Sequence, residues 1–190
     1  REGRNIIHAT AEILDMNKST FSIVNILCNE YGYIKSCESK SCIDKEGNPI
    51  PWFTYPAIEY LKQFDIKEKI VFEYGAGNSS LFWANRALKI ISVEENKEWH
   101  KLISQNAPSN LQIEHCGDIE KYPELILNNN EMFDIIIIDC NNNRDLCSKN
   151  AIKKLKSGGI IILDNSDRAG EIEEYKNAVT ILKNAGLIQV

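Results

Sequence analysis

One short stretch of the chain combines an acidic side chain, two closely spaced glycines and helix-capping residues. It runs Ile70-Val-Phe-Glu-Tyr-Gly-Ala-Gly-Asn-Ser-Ser80. An apolar run meets the carboxylate of Glu73, the chain breaks at Gly75 and Gly77, and the Asn-Ser pair that follows is typical of a helix N-cap. A strand, a glycine turn and a helix N-terminus in this order form a nucleotide-sized pocket in α/β sheets.

The spacing of the acid and the glycines indicates which charge this pocket accepts. A dinucleotide fingerprint has the pattern G-x-G-x-x-G without an acid in the turn, because a pyrophosphate lies there. Here Ser80 replaces the third glycine and Glu73 precedes the first. A carboxylate beside the turn repels a pyrophosphate and attracts an ammonium group. The stretch therefore predicts a cationic nucleoside ligand rather than NAD.

Apolar segments that alternate with helical patterns predict the fold. Strands are predicted at Ile70–Glu73, Lys89–Glu94, Leu111–His115, Phe133–Asp139 and Gly159–Asp164. Near-continuous isoleucine runs indicate strands that are buried on both faces, hence a parallel sheet covered by helices. We therefore predict a doubly wound α/β fold with helices on both faces. A last helix is expected to end at Gly186, and a sixth strand to begin at Leu187–Val190.

Polar or acidic residues end the five predicted strands or follow them at once. They are Glu73, Glu94, Gly117-Asp118, Asp139 and Asp164-Asn165. Ligands of parallel sheets bind at the carboxyl ends of the strands, so we expect these side chains to surround one site. The alternative, that all five are solvated loop ends, requires five coincidences.

The N-terminal part of the chain is predicted to form a separate helical cap, residues 1–50, in front of a ligand-binding domain, residues 51–190. Two apolar stripes indicate helices within residues 1–45, the first formed by Ile6, Ile7, Ile13 and Leu14 and the second by Phe21, Val24, Leu27 and Tyr31. We expect this cap to pack on the domain and to contribute to the substrate side.

A segment with three aromatic residues between two prolines, Pro51-Trp-Phe-Thr-Tyr-Pro56, precedes the next helix. It has two interpretations of equal weight. In one it is a buried hydrophobic clasp. In the other it places Trp52, Thr54 and Tyr55 over the ligand pocket, because the chain enters the sheet directly afterwards.

Length and charge restrict the class of protein. A chain of 190 residues forms one domain of ordinary globular composition, with 43% hydrophobic and 26% charged residues. The net charge of −5 argues against a nucleic-acid substrate held by phosphate contacts. No apolar run approaches a membrane span and no signal peptide is visible. The six scattered cysteines favour reduced thiols in a cytoplasmic protein over a zinc site.

The glycine stretch resembles motif I of the class I S-adenosylmethionine-dependent methyltransferases, written (D/E)-x-G-x-G. Glu73, Gly75 and Gly77 occupy its three fixed positions. The resemblance covers roughly residues 50–190 and implies a Rossmann-like methyltransferase sheet, S-adenosylmethionine as cofactor and S-adenosylhomocysteine as product. In this family a seventh, antiparallel strand completes the sheet, so we expect further residues or a partner subunit, as in a homodimer, to cover the open edge.

The resemblance also implies roles for individual residues. Glu73 and the backbone of Gly75, Ala76 and Gly77 would hold the methionine ammonium end. Tyr74, Asn78, Ser79 and Asp139 are also assigned to the cofactor site. Glu94 is assigned to the ribose hydroxyls, with Glu95 as the competing candidate. Asp118 would meet the adenine amino group, Ile119 would pack on the ring, and Thr54 and Tyr55 would approach the cofactor from the aromatic segment.

Catalytic roles are implied at the ends of the fourth and fifth strands. Asp139 takes the position beside the transferring methyl group and could serve as a general base, and Arg144 could pair with an anionic substrate. The trio Asp139, Asp164 and Asn165 resembles the Mg²⁺ ligands of catechol-type O-methyltransferases. The surrounding sequence departs from that subgroup, so a metal is not expected.

The implied activity is methyl transfer to an oxygen or nitrogen of a small molecule, such as a sugar or another cell-envelope precursor. The Ile-, Lys- and Asn-rich composition suits a bacterial source. Two alternatives remain at this point. One is a catalytically silent module that binds S-adenosylmethionine, and the other, less favoured, is a nicotinamide-dependent oxidoreductase.

Overall fold

The computed structural model describes residues 18–189, within which seven α-helices, two 3₁₀-helices and five strands form. In chain order they are α1 (Lys18–Asn29), α2 (Tyr33–Ser39), α3 (Tyr55–Lys62), β1 (Ile70–Tyr74), α4 (Asn78–Ala84), β2 (Lys89–Glu94), α5 (Lys97–Ser104), β3 (Leu111–His115), a 3₁₀-helix (Tyr122–Asn128), β4 (Phe133–Ile138), α6 (Arg144–Lys154), β5 (Leu155–Leu163), a second 3₁₀-helix (Ser166–Gly170) and α7 (Glu173–Asn184).

The five strands form one parallel sheet in the order β3-β2-β1-β4-β5. The order reverses direction at β1, which pairs with β2 on one side and β4 on the other. Such a reversal leaves a crevice at the carboxyl ends of these three strands. The prediction of a doubly wound α/β sheet is confirmed, and the predicted bounds of the second and third strands match β2 and β3.

Alternating residues of the strands bury opposite faces of the sheet in two apolar clusters. On one face Val71 and Ile90 pack with Trp83 of α4 and with α3. On the other face Phe72 packs with Ile126 of the first 3₁₀-helix and with α6. Helices therefore cover both faces, as near-continuous apolar strands require.

Two predictions about strands in the C-terminal half of the chain are wrong. β5 begins at Leu155 rather than Gly159, because a register shift between Phe133 and Ile135 lets the early residues of β5 pair with β4. The strand predicted at Leu187–Val190 is not formed by residues 187–189, where Ile188 is exposed and has no neighbouring strand. Val190 lies outside the described residues. That further chain or a partner subunit covers the edge of β5 stays a prediction.

The N-terminal segment is helical only in part. Helices α1 and α2 follow the prediction, whereas residues 40–45 do not continue the helix. Lys40 adopts a left-handed conformation that ends α2, and Ile43 forms an isolated bridge with Pro49. Tyr31 stacks on Tyr55 of α3 with ring centroids 4.4 Å apart. The stripe of Ile6, Ile7, Ile13 and Leu14 lies outside the described residues. No helix within residues 18–189 is long and apolar enough to cross a membrane.

Candidate functional site

The glycine turn after β1 is held between its two neighbouring strands. Gly75 donates its N–H to Val93 O of β2 at 2.9 Å and has a φ of 94°. A Cβ atom at this position would lie 2.3 Å from Asp139 O, which directly follows β4. Both the backbone conformation and the close approach therefore require glycine here. The turn is thus a fixed part of the sheet end.

The carboxylate of Glu94, the last residue of β2, fastens the turn from the other side. Its Oε2 accepts the N–H of Ala76 at 3.0 Å and its Oε1 accepts the N–H of Asn96 at 2.7 Å. Burial raises the pKa of Glu94, and the backbone donors oppose this rise. Each carboxylate oxygen has a second lone pair, so Glu94 can still accept a ligand hydroxyl.

Glu73 lies beneath the turn and is fully buried. The hydroxyls of Ser80 and Ser92 both donate to its Oε2, from Ser92 at 2.8 Å. Ser80 Oγ in turn accepts the N–H of Gly77 at 3.0 Å, so the acid is linked to the turn through one hydroxyl. Burial raises the pKa of Glu73 to about 7, against the serine hydroxyls, which lower it.

One oxygen of Glu73 has no partner among residues 18–189. This atom, Oε1, is buried without a hydrogen bond. Buried polar atoms are normally satisfied, so an orphaned acceptor beneath a glycine turn marks a place where a donor is missing. The Ser79 hydroxyl also lowers the pKa of Glu73, and the whole side chain is buried outside the cavity wall. The contact with a cofactor ammonium group therefore stays a prediction.

A cavity of about 460 Å³ opens at the carboxyl ends of β1, β2 and β4. Its size is within the range of small-molecule and cofactor sites. The predicted site residues that line it are Gly75, Ala76, Gly77, Asn78, Ser79, Glu94, Glu95 and Asp139. The other lining residues are Lys40, Ser41, Cys42, Ile50, Trp52, Asn96, Trp99, Tyr122, Cys140 and Asn141.

Trp99, Tyr122 and Asn141 are cavity residues to which sequence reasoning gave no role. Trp99 of α5 donates its indole N–H to Ala76 O at 2.6 Å, so its ring stands against the turn. Asn141, after β4, donates to Glu95 Oε1 at 2.6 Å and so joins the loops after β2 and β4. The only sequence signal that could have indicated a role for Trp99 at the site is its position on an amphipathic helix that follows a strand with an acidic end.

Asp139 and Arg144 form an ion pair behind the cavity wall. Arg144 Nη2 lies 3.2 Å from Asp139 Oδ1, and Nη1 donates to Ile138 O at 3.1 Å and to Asp164 O at 2.7 Å. The guanidinium is almost fully buried and lies over the ring of Tyr175. Arg144 and Asp164 do not line the cavity, so Arg144 positions Asp139 from behind.

The pKa of Asp139 is raised to about 7. Burial is the largest cause, and the nearby Asp164 carboxyl adds to it through its charge and a hydrogen bond. Arg144 opposes the rise. A carboxyl with a pKa near neutrality can give or take a proton at ordinary pH, which suits a general base.

A divalent metal does not fit the trio of Asp139, Asp164 and Asn165. The positive charge beside Asp139 is already supplied by Arg144. Of the trio only Asp139 lines the cavity. We therefore assign no step to a metal.

Residues between 40 and 52, from the cap and the segment that follows it, form one wall of the cavity. Asn78 of α4 donates its side-chain amide to Ser41 Oγ at 2.8 Å and to Cys42 O at 2.6 Å. These bonds hold Lys40, Ser41 and Cys42 against the start of α4. Trp52 stands at the same wall with 83% of its surface exposed.

Several predicted cofactor residues do not line the cavity, and their roles stay predictions. Tyr74 turns its side chain into the opposite core, where its hydroxyl donates to Pro123 O at 2.8 Å. Thr54 is exposed at the start of α3, and Tyr55 stacks on Tyr31. Of the three residues named in the aromatic segment, only Trp52 reaches the cavity.

Asp118 and Ile119, after β3, also lie outside the cavity wall. Asp118 is exposed and forms an ion pair with Lys121 at 3.1 Å, and hydrogen bonding to Lys121 lowers the pKa of Asp118. Ile119 has 51% of its surface exposed, and its carbonyl accepts the side-chain amide of Asn143 at 2.8 Å. Ile119 is thus an exposed apolar side chain on a loop tied to the loop after β4.

Solved structures share this fold. A precorrin-8w decarboxylase from Methanobacterium thermoautotrophicum matches with a TM-score of 0.60 at 18% identity, over 79% of this chain and 80% of its own. A precorrin-6y C5,15-methyltransferase from Geobacter metallireducens matches with the same TM-score and identity, over 80% and 79%. An O-methyltransferase from Bacillus cereus in complex with S-adenosylhomocysteine matches with a TM-score of 0.57 at 18% identity, over 95% and 84%.

The sequence comparisons are negative, since no protein-family model and no curated protein sequence matches the chain. The structural matches confirm the predicted fold class, a doubly wound, Rossmann-like parallel sheet with helices on both faces. At these identities they establish the fold alone.

Proposed function

We propose that this protein is a methyltransferase that uses S-adenosylmethionine and acts on an oxygen or nitrogen of a small molecule. The observation that carries the proposal is the cavity of about 460 Å³ in which a glycine turn lies between Glu94 and Asp139. Two of the proteins that share the fold are methyltransferases by name, and one of them holds S-adenosylhomocysteine.

The residues present fit this cofactor. The cavity wall carries the carboxylates of Glu94, Glu95 and Asp139, which suits a ligand with a sulfonium and an ammonium group. Glu94 would hold the ribose hydroxyls, while the backbone of Gly75–Gly77 would hold the methionine end, with Glu73 Oε1 beneath it. Trp99 closes the side of the turn through the bond from its indole N–H to Ala76 O.

The cofactor, when bound, supplies a methyl group that is electrophilic because it is attached to a positively charged sulfur. The protein has to align the acceptor with that methyl group and keep water out, and alignment supplies most of the acceleration. Asp139 would orient an acceptor hydroxyl or amine and, in its ionised form, take the proton that it loses. Arg144 fixes the position of the Asp139 carboxylate through the bond to Oδ1.

A small acceptor, rather than a nucleic acid, is supported by charge. The chain carries a net charge of −5, and Lys40 is the one cation among the described residues that line the cavity. A nucleic-acid substrate requires several phosphate contacts from lysine or arginine. A sugar or another cell-envelope precursor belongs to the class of acceptor that we propose.

Calorimetric titration tests the cofactor assignment. We expect S-adenosylhomocysteine to bind and NAD to give no heat, and binding of NAD alone would refute the proposal. Labelled S-adenosylmethionine is then incubated with the protein and a bacterial metabolite extract, and mass spectrometry identifies the labelled product. Binding of S-adenosylhomocysteine without turnover in any extract would instead support the catalytically silent module.

A further inference from the structure

The wall formed by residues 40–52 is left over once the proposed cofactor contacts are assigned. The glycine turn, Glu94 and Trp99 belong to the nucleoside and methionine side. Asp139 lies between that side and the cap. The remaining wall consists of Lys40, Ser41, Cys42, Ile50 and Trp52, which come from the cap and the segment that follows it. With the cofactor bound as proposed, this wall is the part of the cavity that is left for the acceptor.

Trp52 is presented to solvent by neighbours that are themselves anchored. Ile50 and Pro51 are buried, and Phe53 packs on the apolar cluster of α3 and α4. Trp52 nevertheless exposes 83% of its surface, more than any other aromatic side chain in the described part of the chain. Because Trp52 also lines the cavity, its ring offers a ligand a large apolar surface at this wall.

The indole of Trp52 offers a face and a donor. Its N–H donates to no residue between 18 and 189, so it can donate to a ligand oxygen. Flat faces of tryptophan bind aromatic rings by stacking and attract other apolar ring faces. The ligand that this surface fits is therefore ring-shaped and carries oxygen acceptors.

Lys40 adds a charge to the same wall. It adopts a left-handed conformation with a φ of 52° at the end of α2, and hydrogen bonds from Asn78 to the next two residues hold this segment in place. Its ammonium group is exposed and makes no ion pair with the described residues. An unpaired cation that lines the same cavity as the Trp52 ring, where the other charged residues are acidic, favours an acceptor with a negative group.

We infer that Trp52 and Lys40 form the acceptor subsite, and that the acceptor is a small ring compound with an anionic substituent. The inference rests on the proposed methyl transfer and specifies its substrate class. The ring lies against the Trp52 indole, and a phosphate or carboxylate group pairs with the Lys40 ammonium. A phosphorylated sugar and an aromatic carboxylate share this chemistry.

Binding to the protein loaded with S-adenosylhomocysteine tests the inference. The probes are glucose 6-phosphate and 4-hydroxybenzoate, with glucose and phenol as uncharged partners and inorganic phosphate as the anion without a ring. Saturation-transfer NMR measures binding, and comparison of the two charged probes tells a sugar from an aromatic acceptor. We expect a charged ring to bind more tightly than its uncharged partner and than phosphate alone.

Two variants separate the ring from the charge. Trp52→Ala should weaken binding of the charged ring about tenfold. Lys40→Gln should remove the preference for the charged ring over its uncharged partner. The matched controls are Tyr60→Ala, an exposed aromatic on α3, and Lys67→Gln, an exposed lysine, neither of which lines the cavity. Both should bind the probes as the parent does.

The outcomes distinguish this inference from the proposed function. If the parent binds S-adenosylhomocysteine but no charged ring, or if both variants bind the probes as the parent does, the acceptor subsite is wrong and the cofactor assignment stands. If Lys40→Gln weakens the binding of S-adenosylhomocysteine and leaves the binding of the charged ring unchanged, Lys40 contacts the cofactor and the subsite is again wrong. If the parent does not bind S-adenosylhomocysteine, the proposed function itself fails.

Discussion

Arg144 Nη2 lies 3.2 Å from Asp139 Oδ1, so the chain itself supplies the positive charge next to the acid that follows β4. The same guanidinium bonds the backbone carbonyls of Ile138 and Asp164 and thereby joins the ends of β4 and β5. This ion pair has two consequences. It holds Asp139 at the cavity, and it leaves the adjacent strand ends dependent on one buried cation.

We expect Arg144→Gln to destabilise the protein by about 3 kcal/mol or more, because it leaves the Asp139 carboxylate and two buried carbonyls without their partner. Urea denaturation of parent and variant measures the difference. The control is Lys176→Gln, which removes an exposed ion pair with Glu173 and should change the free energy of unfolding by less than about 0.5 kcal/mol. Equal effects of the two variants would contradict the structural role of Arg144.

Chelation should leave the activity unchanged. Arg144 occupies the charge position beside Asp139, and Asn165 offers only a neutral oxygen. We therefore expect methyl transfer to be the same after EDTA treatment and after addition of Mg²⁺. The measurement is labelled product per unit time in both conditions. Loss of activity with EDTA that Mg²⁺ restores would show that the trio of Asp139, Asp164 and Asn165 binds a metal after all.

Glu73 predicts a specific dependence of stability on pH. Burial raises its pKa to about 7 in the folded protein, whereas the unfolded chain has an ordinary pKa of about 4.3. Between these values the unfolded state binds fewer protons than the folded state, so the free energy of unfolding falls as the pH rises. Glu73→Gln cannot titrate and should lack this fall, which amounts to about 3 kcal/mol.

The measurement is urea denaturation of parent and Glu73→Gln from about pH 5 to about pH 8. The difference between the curves reports the titration of Glu73 together with its charge coupling to Glu94 and Asp139, which the substitution also removes. Parallel curves would mean that Glu73 is ionised throughout. The same variant tests the predicted contact between Glu73 and the cofactor ammonium group, since it should weaken the binding of S-adenosylhomocysteine that calorimetry measures at neutral pH.

Gly75→Ala should abolish cofactor binding. The new Cβ would lie 2.3 Å from Asp139 O, and the φ of 94° is strained for any side chain. The control is Gly170→Ala, where nothing lies within 4 Å of the added atom. Calorimetry with S-adenosylhomocysteine measures binding, and circular dichroism verifies that both variants fold. A folded Gly75→Ala protein that binds as the parent does would place the cofactor elsewhere.

Glu94 and Glu95 can be distinguished by the same measurement. Glu94→Gln disrupts the carboxylate that accepts the Ala76 and Asn96 amides. It should therefore lower the affinity for S-adenosylhomocysteine by about tenfold or more. Glu95→Gln changes a half-exposed residue that accepts from the side chain of Asn141, and its effect should be about twofold or less. The reverse order would make Glu95 the ribose ligand.

Local pattern was sufficient for the framework of the site. The isoleucine runs predicted the buried parallel strands, and the acid and two glycines predicted a turn at the carboxyl end of β1, because burial and backbone conformation depend on residues close together in the chain. A strand was predicted at Leu187–Val190, and residues 187–189 do not form one. This marks the limit of such reasoning, since a strand also needs a hydrogen-bonding neighbour. Apolar residues alone do not supply one.

The sequence by itself determined the order of strands and helices along the chain, and it placed acidic residues at the carboxyl ends of the strands. The tertiary structure decided what those acids contact. It pairs Arg144 with Asp139 and lets Glu94 accept the Ala76 N–H. It also places Trp99, Asn141 and Trp52 at the cavity and Tyr55 outside it. Asp139 and Arg144 are only five residues apart, but the bonds from Arg144 to Asp164 and from Ala76 to Glu94 join residues 20 and 18 positions apart. Those bonds depend on how the strands lie beside one another rather than on a local pattern of residues.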